Sequence, residues 1–183
     1  MNTKHLAKHH EAHSKKPPVK ATGTARLTYY IFEGLLVGIV NGKAVTVAAY
    51  SGGRGGSYDE DAPTKDANNP YSYAVKEEDN GGVHTSGGPI PPGAYTVKSP
   101  DHDAKLGHCA RLDPDEKLPN DRGGMAIHGM GPHGSEGCIV ILEDKENRKL
   151  KRPHVKLEAL LSDINAAGGG RLIVLQAVDS AFA

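Results

Sequence analysis

The chain has no surplus of either charge, few aromatic side chains, two cysteines and no long apolar run. Each shortage closes off a class of function. Twenty-two basic side chains balance 22 acidic ones, so net charge implies no polyelectrolyte partner. A nucleic-acid reader would carry a basic face, and the body of the chain holds no such run. No segment approaches the roughly 20 apolar residues of a membrane span. The first residues, MNTKHLAKHHEAHSKKPPVK, are charged throughout and lack the apolar centre of a secretory signal. The chain is therefore expected to be made in the cytoplasm and to reach any other compartment by a different route. Two cysteines, Cys109 and Cys138, permit one disulfide, but 183 residues are far too many for a disulfide scaffold. Cys-x-x-Cys spacing is absent, and no metal site is expected.

What is present favours strands. Glycine occurs 23 times, proline 12 times, and aromatics make up 5%, a composition suited to short strands and many turns. The length fits one domain with its own core. Residues 1–22 read as a flexible Lys/His-rich tail, with His5, His9, His10 and His13 before the stiff Pro17-Pro18 step. His9 and His13 have helical spacing, but no carboxylate or cysteine set supports metal capture. Residues 23–183 form the domain. Apolar, β-branched runs predict antiparallel strands near 25–32, 35–40 and 43–50, the last two joined by the hairpin signal Asn41-Gly42. A loop rich in glycine, acid and proline covers 51–72, a short strand follows near 73–76, and EEDNGG reads as a turn. In GPIPPGAYTV, prolines pin an extended approach to a strand. Further strands are expected near 109–112, 124–128 and 138–142. Leu157, Leu160, Leu161 and Ile164 have helical spacing, ended by Gly168 to Gly170, before the buried strand RLIVLQAV. The fold class is mostly β, with one clear C-terminal helix.

The stretch MAIHGMGPHGSEGCIVI, residues 125–141, carries the chemistry. His128 ends one strand-like run and Cys138 starts the next, with a glycine-rich loop between them. If the two strands are neighbours, the imidazole and the thiol meet at their ends. A free thiol has a pKa near 8.5, and an adjacent imidazole can take its proton. The amides of Gly137 and Cys138 are candidate donors to a developing oxyanion, and Ser135 can fix the loop. The other reading is a buried cysteine in a strand beside a histidine in the next one. Spacing alone leaves both readings open. Cys109, in GHCARL, reads as a small buried apolar residue. His84, His102, His108 and His154 have no evident partners.

The segment IHGMGPHGSEGC resembles the active-site signature of the L,D-transpeptidase (YkuD-like) superfamily, His-Gly, a loop, then Ser/Thr-His-Gly-Cys. His128-Gly129 and Ser135-x-Gly137-Cys138 match it. GPIPPGAYTV resembles the superfamily's P.G.Y.V strand, and the pattern extends over roughly 24–177. The His-to-Cys step of ten residues is shorter than usual, and Glu136 replaces the inner histidine. Both features resemble a narrower, DUF2778-type branch of antibacterial effectors delivered by type VI secretion. The resemblance implies a YkuD-like β-sandwich in which Cys138 is the nucleophile and His128 the general base, with the Gly129 carbonyl orienting the imidazole. His133, inside the loop, is a rival base. A carboxylate beside Cys138 would raise its pKa, so Glu136 is expected to hold the loop or to receive a substrate amine. Arg122 can clamp a substrate carboxylate or be a solvated loop residue. The implied substrate is the peptidoglycan stem peptide, cleaved or transferred without a cofactor, in the target-cell periplasm, with a cognate immunity protein as partner. A housekeeping cell-wall enzyme and a non-catalytic wall-binding module are the alternatives. A papain-like hydrolase would place Cys before His, with the cysteine opening a helix rather than a strand.

Overall fold

The computed structural model describes residues 23–52, 77–79, 82–84, 88–118, 122–129, 135, 137–144 and 154–177, with 77–79 and 82–84 described by backbone alone. The tail (1–22), the strand expected near 73–76, His133 and Glu136 lie outside the described residues. Among those described, eleven strands and one helix follow in the order β1 (Ala25–Tyr30), β2 (Leu35–Val40), β3 (Lys43–Ser51), β4 (Glu77–Asp79), β5 (Gly82–His84), β6 (Gly93–Val97), β7 (Asp101–Asp103), β8 (Gly107–Pro114), β9 (Ala126–His128), β10 (Ile139–Ile141), α1 (Val155–Ala166) and β11 (Gly170–Leu175). No helix among them is long and apolar enough to cross a membrane.

Local chemistry explains the first three strands. β-branched and apolar residues alternate in and out, and Asn41 (φ 50°) and Gly42 (φ 73°) supply the two left-handed positions of a tight hairpin turn. β2 and β3 then pair in register from Leu35 opposite Ala48 to Val40 opposite Lys43. EEDNGG does more than turn, because Glu77–Asp79 pairs with Gly82–His84 across it.

The larger sheet runs β6-β11-β1-β2-β3-β10-β9-β8-β7, and β6 also pairs with β8. The pairing path therefore closes on itself, with β7 attached outside the ring. The expectation was a β-sandwich; the sheet is barrel-like, and two long strands join its halves: β3 pairs with β2 through its first part and with β10 through Ala49–Ser51, while β8 pairs with β7 and β9 first and with β6 through Leu112–Pro114. Such strands pass from one half to the other and join the two into a barrel.

The barrel interior holds the core, including Leu27, Tyr29, Leu36, Tyr95, Ile127, Ile139, Ile141, Leu172 and Val174, each at most 3% exposed. The apolar stripe of α1, Leu157, Leu160, Leu161 and Ile164, joins the same cluster and packs against β8 and β2. The helix has no side-chain cap from its own N-cap residue, His154. Its first amides donate instead to the buried carboxylate of Glu143, Val155 N–H to Oε2 at 2.8 Å and Lys156 N–H to Oε1 at 3.0 Å. An anion there satisfies orphan donors and meets the positive end of the helix dipole. The helix thus starts beside the chain that leaves β10, close to the end of β9.

Candidate active site

Strands β8, β9 and β10 have two faces, and alternation sorts their residues between them. Ala110, Leu112, Ile127, Ile139 and Ile141 point into the barrel. Cys109, Ala126 and Cys138 form a second, separate cluster on the other face, with Leu106 against it. His128 lies two residues after Ala126 and directly opposite Cys109 in the β8–β9 register. The chemistry-bearing side chains therefore sit outside the barrel wall, on the reverse side of its core.

β9 and β10 are parallel, with Ile127 beside Ile139 and His128 beside Val140. The strands are neighbours, as the meeting of imidazole and thiol requires, but they run in the same direction. In this parallel register Cys138, one residue before Ile139, is level with Ala126 rather than with His128. His128 is then the diagonal neighbour on the adjacent strand. Strand spacing of about 4.8 Å and a two-residue offset put the two Cα atoms about 8 Å apart, within joint reach of a cysteine and a histidine side chain. Parallel strands usually need a connection of a dozen or more residues. Three-residue strands let the ten residues between His128 and Ile139 suffice.

His128 is 4% exposed, and its Nδ1 makes a very short hydrogen bond with the carbonyl oxygen of Gly129. A carbonyl can only accept, so Nδ1 carries the proton and Nε2 keeps its lone pair. Burial pulls the imidazole pKa below its usual value; the Gly129 carbonyl opposes this, and Arg111 and His154 add to it. A neutral imidazole with a fixed tautomer is the form a general base requires.

The turn before Cys138 is held from two sides. Ser135 Oγ donates to the Cys138 carbonyl at 2.7 Å and accepts from Gly137 N–H at 3.1 Å. The Gly137 amide, expected as an oxyanion donor, is therefore directed into its own turn, where a serine side chain mimics a backbone partner. Gly137 has φ +108°, and a Cβ there would lie 2.2 Å from Nη2 of Arg122. Both conformation and space require glycine at this position. Arg122, read from sequence as a clamp on a substrate carboxylate, is only 8% exposed and donates to the carbonyls of Pro89 at 2.7 Å and Gly88 at 2.9 Å. It is not a solvated loop residue.

The two thiols differ. Cys109 is 1% exposed in mid-strand, and burial pushes its pKa up, with Arg111 opposing. Cys138 stands at the loop end of β10. Both are buried and neither is in a disulfide, and β9 lies between their strands. Two strand spacings, about 9.6 Å, exceed the roughly 7 Å Cα limit for a disulfide.

Two neighbours of the site, Cys109 and His154, escaped the sequence reading. Cys109 was read as packing only, yet it faces His128; the alternation Cys109, Arg111 opposite His128, Ala126 would reveal this once the β8–β9 register is known. His154 lies against Gly129, where a Cβ would come within 3.2 Å of its ring. His108, thought partnerless, pairs with Glu158 at 2.7 Å. Among the described residues, no group of three or more His, Cys, Asp or Glu side chains could hold a metal ion.

No family model and no curated protein matches the chain. Among solved structures, the L,D-transpeptidase (residues 123–326) from Xylanimonas cellulosilytica DSM 15894 is similar, with a TM-score of 0.46 and 16% sequence identity. The likeness covers 87% of this chain and 64% of that one, so this chain spans a little under two thirds of that protein's length. At that level no residue role is transferred from it.

Proposed function

We propose that the protein is a cysteine-dependent acyl-transfer enzyme acting on the peptidoglycan stem peptide, with Cys138 as nucleophile and His128 as general base. The observation that carries this reading is the shared outer face of β9 and β10. Cys138 and a buried, neutral imidazole of fixed tautomer are diagonal neighbours there. The substrate class rests on the match of His128-Gly129 and Ser135-x-Gly137-Cys138 to the L,D-transpeptidase signature.

The steps follow from these groups. Nε2 of His128 takes the Cys138 proton, and the thiolate attacks the carbonyl of the third stem residue. The tetrahedral intermediate collapses, the carbon–nitrogen bond to the following D-residue breaks, and the imidazolium gives its proton to the leaving amine. A thioester remains on Cys138. Water resolves it as an L,D-carboxypeptidase; an amine resolves it as transpeptidation or D-residue exchange. Removing or exchanging the D-residue depletes the donors for wall cross-linking.

The proposed setting is antibacterial: delivery by type VI secretion into a target-cell periplasm, with an immunity protein covering the Cys138–His128 face in the producer. Purified peptidoglycan incubated with the protein tests the activity, by mass analysis of the stem peptides. Loss of the terminal D-residue supports the proposal, and unchanged stems from folded protein overturn it. Expression with a periplasmic export signal tests the setting. Toxicity that requires Cys138 and appears only with export is expected; toxicity confined to the cytoplasm would point to an intracellular target.

A further inference from the structure

We infer that Arg122 is a positioning residue for the nucleophile: its buried guanidinium joins the 88–89 segment to the Gly137 turn and so fixes where Cys138 presents its sulfur. The inference rests on the assignment of Cys138 as nucleophile.

Burying a guanidinium is unfavourable unless its N–H groups are satisfied. Here Nη1 and Nη2 donate to two successive carbonyls, Pro89 and Gly88, in the segment that leads into β6. That segment is itself tied down, because Ile90 N–H donates to Ser51 Oγ at 2.8 Å and Tyr95 OH donates to the Pro91 carbonyl at 2.6 Å. On its other side the guanidinium fills the space a side chain at position 137 would need, with Met125 Cε 3.3 Å from the same point. The Gly137 Cα is one peptide, about 3.8 Å, from the Cys138 Cα. Ser135 grips the turn through hydrogen bonds, and Arg122 supports it from the side. Lysine has the charge but not the planar fork, so it cannot reproduce two parallel bonds to adjacent carbonyls. Among the described residues, the titratable group coupled to the guanidinium is Tyr95 on β6, and the other charged or titratable groups around the outer face are His128 on β9, Cys109 and Arg111 on β8, Asp101 and Asp103 on β7, and His154.

The test compares wild type, Arg122→Lys and Arg122→Gln. Each is assayed for kcat and KM on a stem tetrapeptide, for iodoacetamide alkylation of Cys138 as a function of pH, resolved by peptide mapping, and for thermal melting. Positioning predicts that Arg122→Lys stays folded, keeps a KM within about threefold and loses roughly 10- to 100-fold in kcat, the scale of a misplaced reacting group. In Arg122→Gln the kcat falls further, and the rate of Cys138 alkylation changes because the turn that presents the sulfur has lost its support. A raised KM with intact kcat would overturn the inference in favour of a substrate clamp. Lower melting with unchanged kcat and alkylation would reduce Arg122 to a structural residue. If Arg122→Gln fails to fold, the kcat of Arg122→Lys decides alone. A wild-type Cys138 that alkylates no faster than an ordinary thiol would remove the nucleophile assignment itself, and the Arg122 inference with it.

Discussion

The two faces of β8, β9 and β10 are made from the same backbone, yet they do different work. Inward, Ala110, Ile127, Ile139 and Ile141 are fully buried aliphatic groups of the barrel core. Outward, one residue away in each strand, stand Cys109, His128 and Cys138. The inner face holds the strands rigid, and the outer face uses that rigidity to fix a thiol relative to an imidazole. Pre-organisation of this kind is what proximity effects in catalysis require. A slip of one residue in register would exchange the two sets, so the inner packing also protects the outer geometry.

Substitutions on each face should therefore fail in different ways. The largest effect is expected at Cys138. Cys138→Ala should abolish turnover while leaving the melting transition close to wild type, because the side chain sits at the loop end of β10. Turnover retained by a folded Cys138→Ala protein would dissolve the contrast between the faces. His128→Ala should slow turnover by roughly 100-fold or more, the usual scale for a lost general base. The pH profile carries the sign of this role. Activity needs the neutral imidazole, and burial lowers its pKa. The acid limb of kcat/KM should therefore fall below the ordinary histidine value of about 6.5, and disappear in His128→Ala. A limb above that value would assign it to another group.

The inner face should respond in stability instead. Ile127→Ala removes buried methyl and methylene groups and should cost about 2–5 kcal/mol in chemical denaturation, while turnover per folded molecule changes little. The smallest effect is expected for Cys109→Ala, because this thiol is sealed in mid-strand with a raised pKa. Turnover should stay within about threefold of wild type. A dead Cys109→Ala beside an active Cys138→Ala would reverse the assignment of nucleophile.

How far this could be read from sequence depends on how local each feature is. The β2–β3 hairpin is written in Asn41-Gly42 and its flanking alternation, and α1 in the spacing of Leu157, Leu160, Leu161 and Ile164. Both rest on contacts within a dozen residues. The closure of β6 onto β8, the parallel pairing of β1 with β11 and the parallel pairing of β9 with β10 depend on contacts that no local pattern encodes. For the same reason Glu143 gave no sign that it caps a helix twelve residues on, nor Arg122 that it reaches Gly88 and Pro89. The residue types of the site were legible because Cys138 and His128 lie on one short stretch. The direction of β9 relative to β10, which decides how they meet, was not.

The most direct test of an acyl-transfer centre on the outer face is a mass measurement on the protein itself. The protein is mixed with a stem tetrapeptide ending in a D-residue, quenched in acid, and mapped peptide by peptide. The account predicts free D-amino acid together with an adduct on Cys138 whose mass is that of the tetrapeptide acyl group without its terminal residue. An adduct on Cys109, or D-amino acid released equally well by Cys138→Ala, would contradict it.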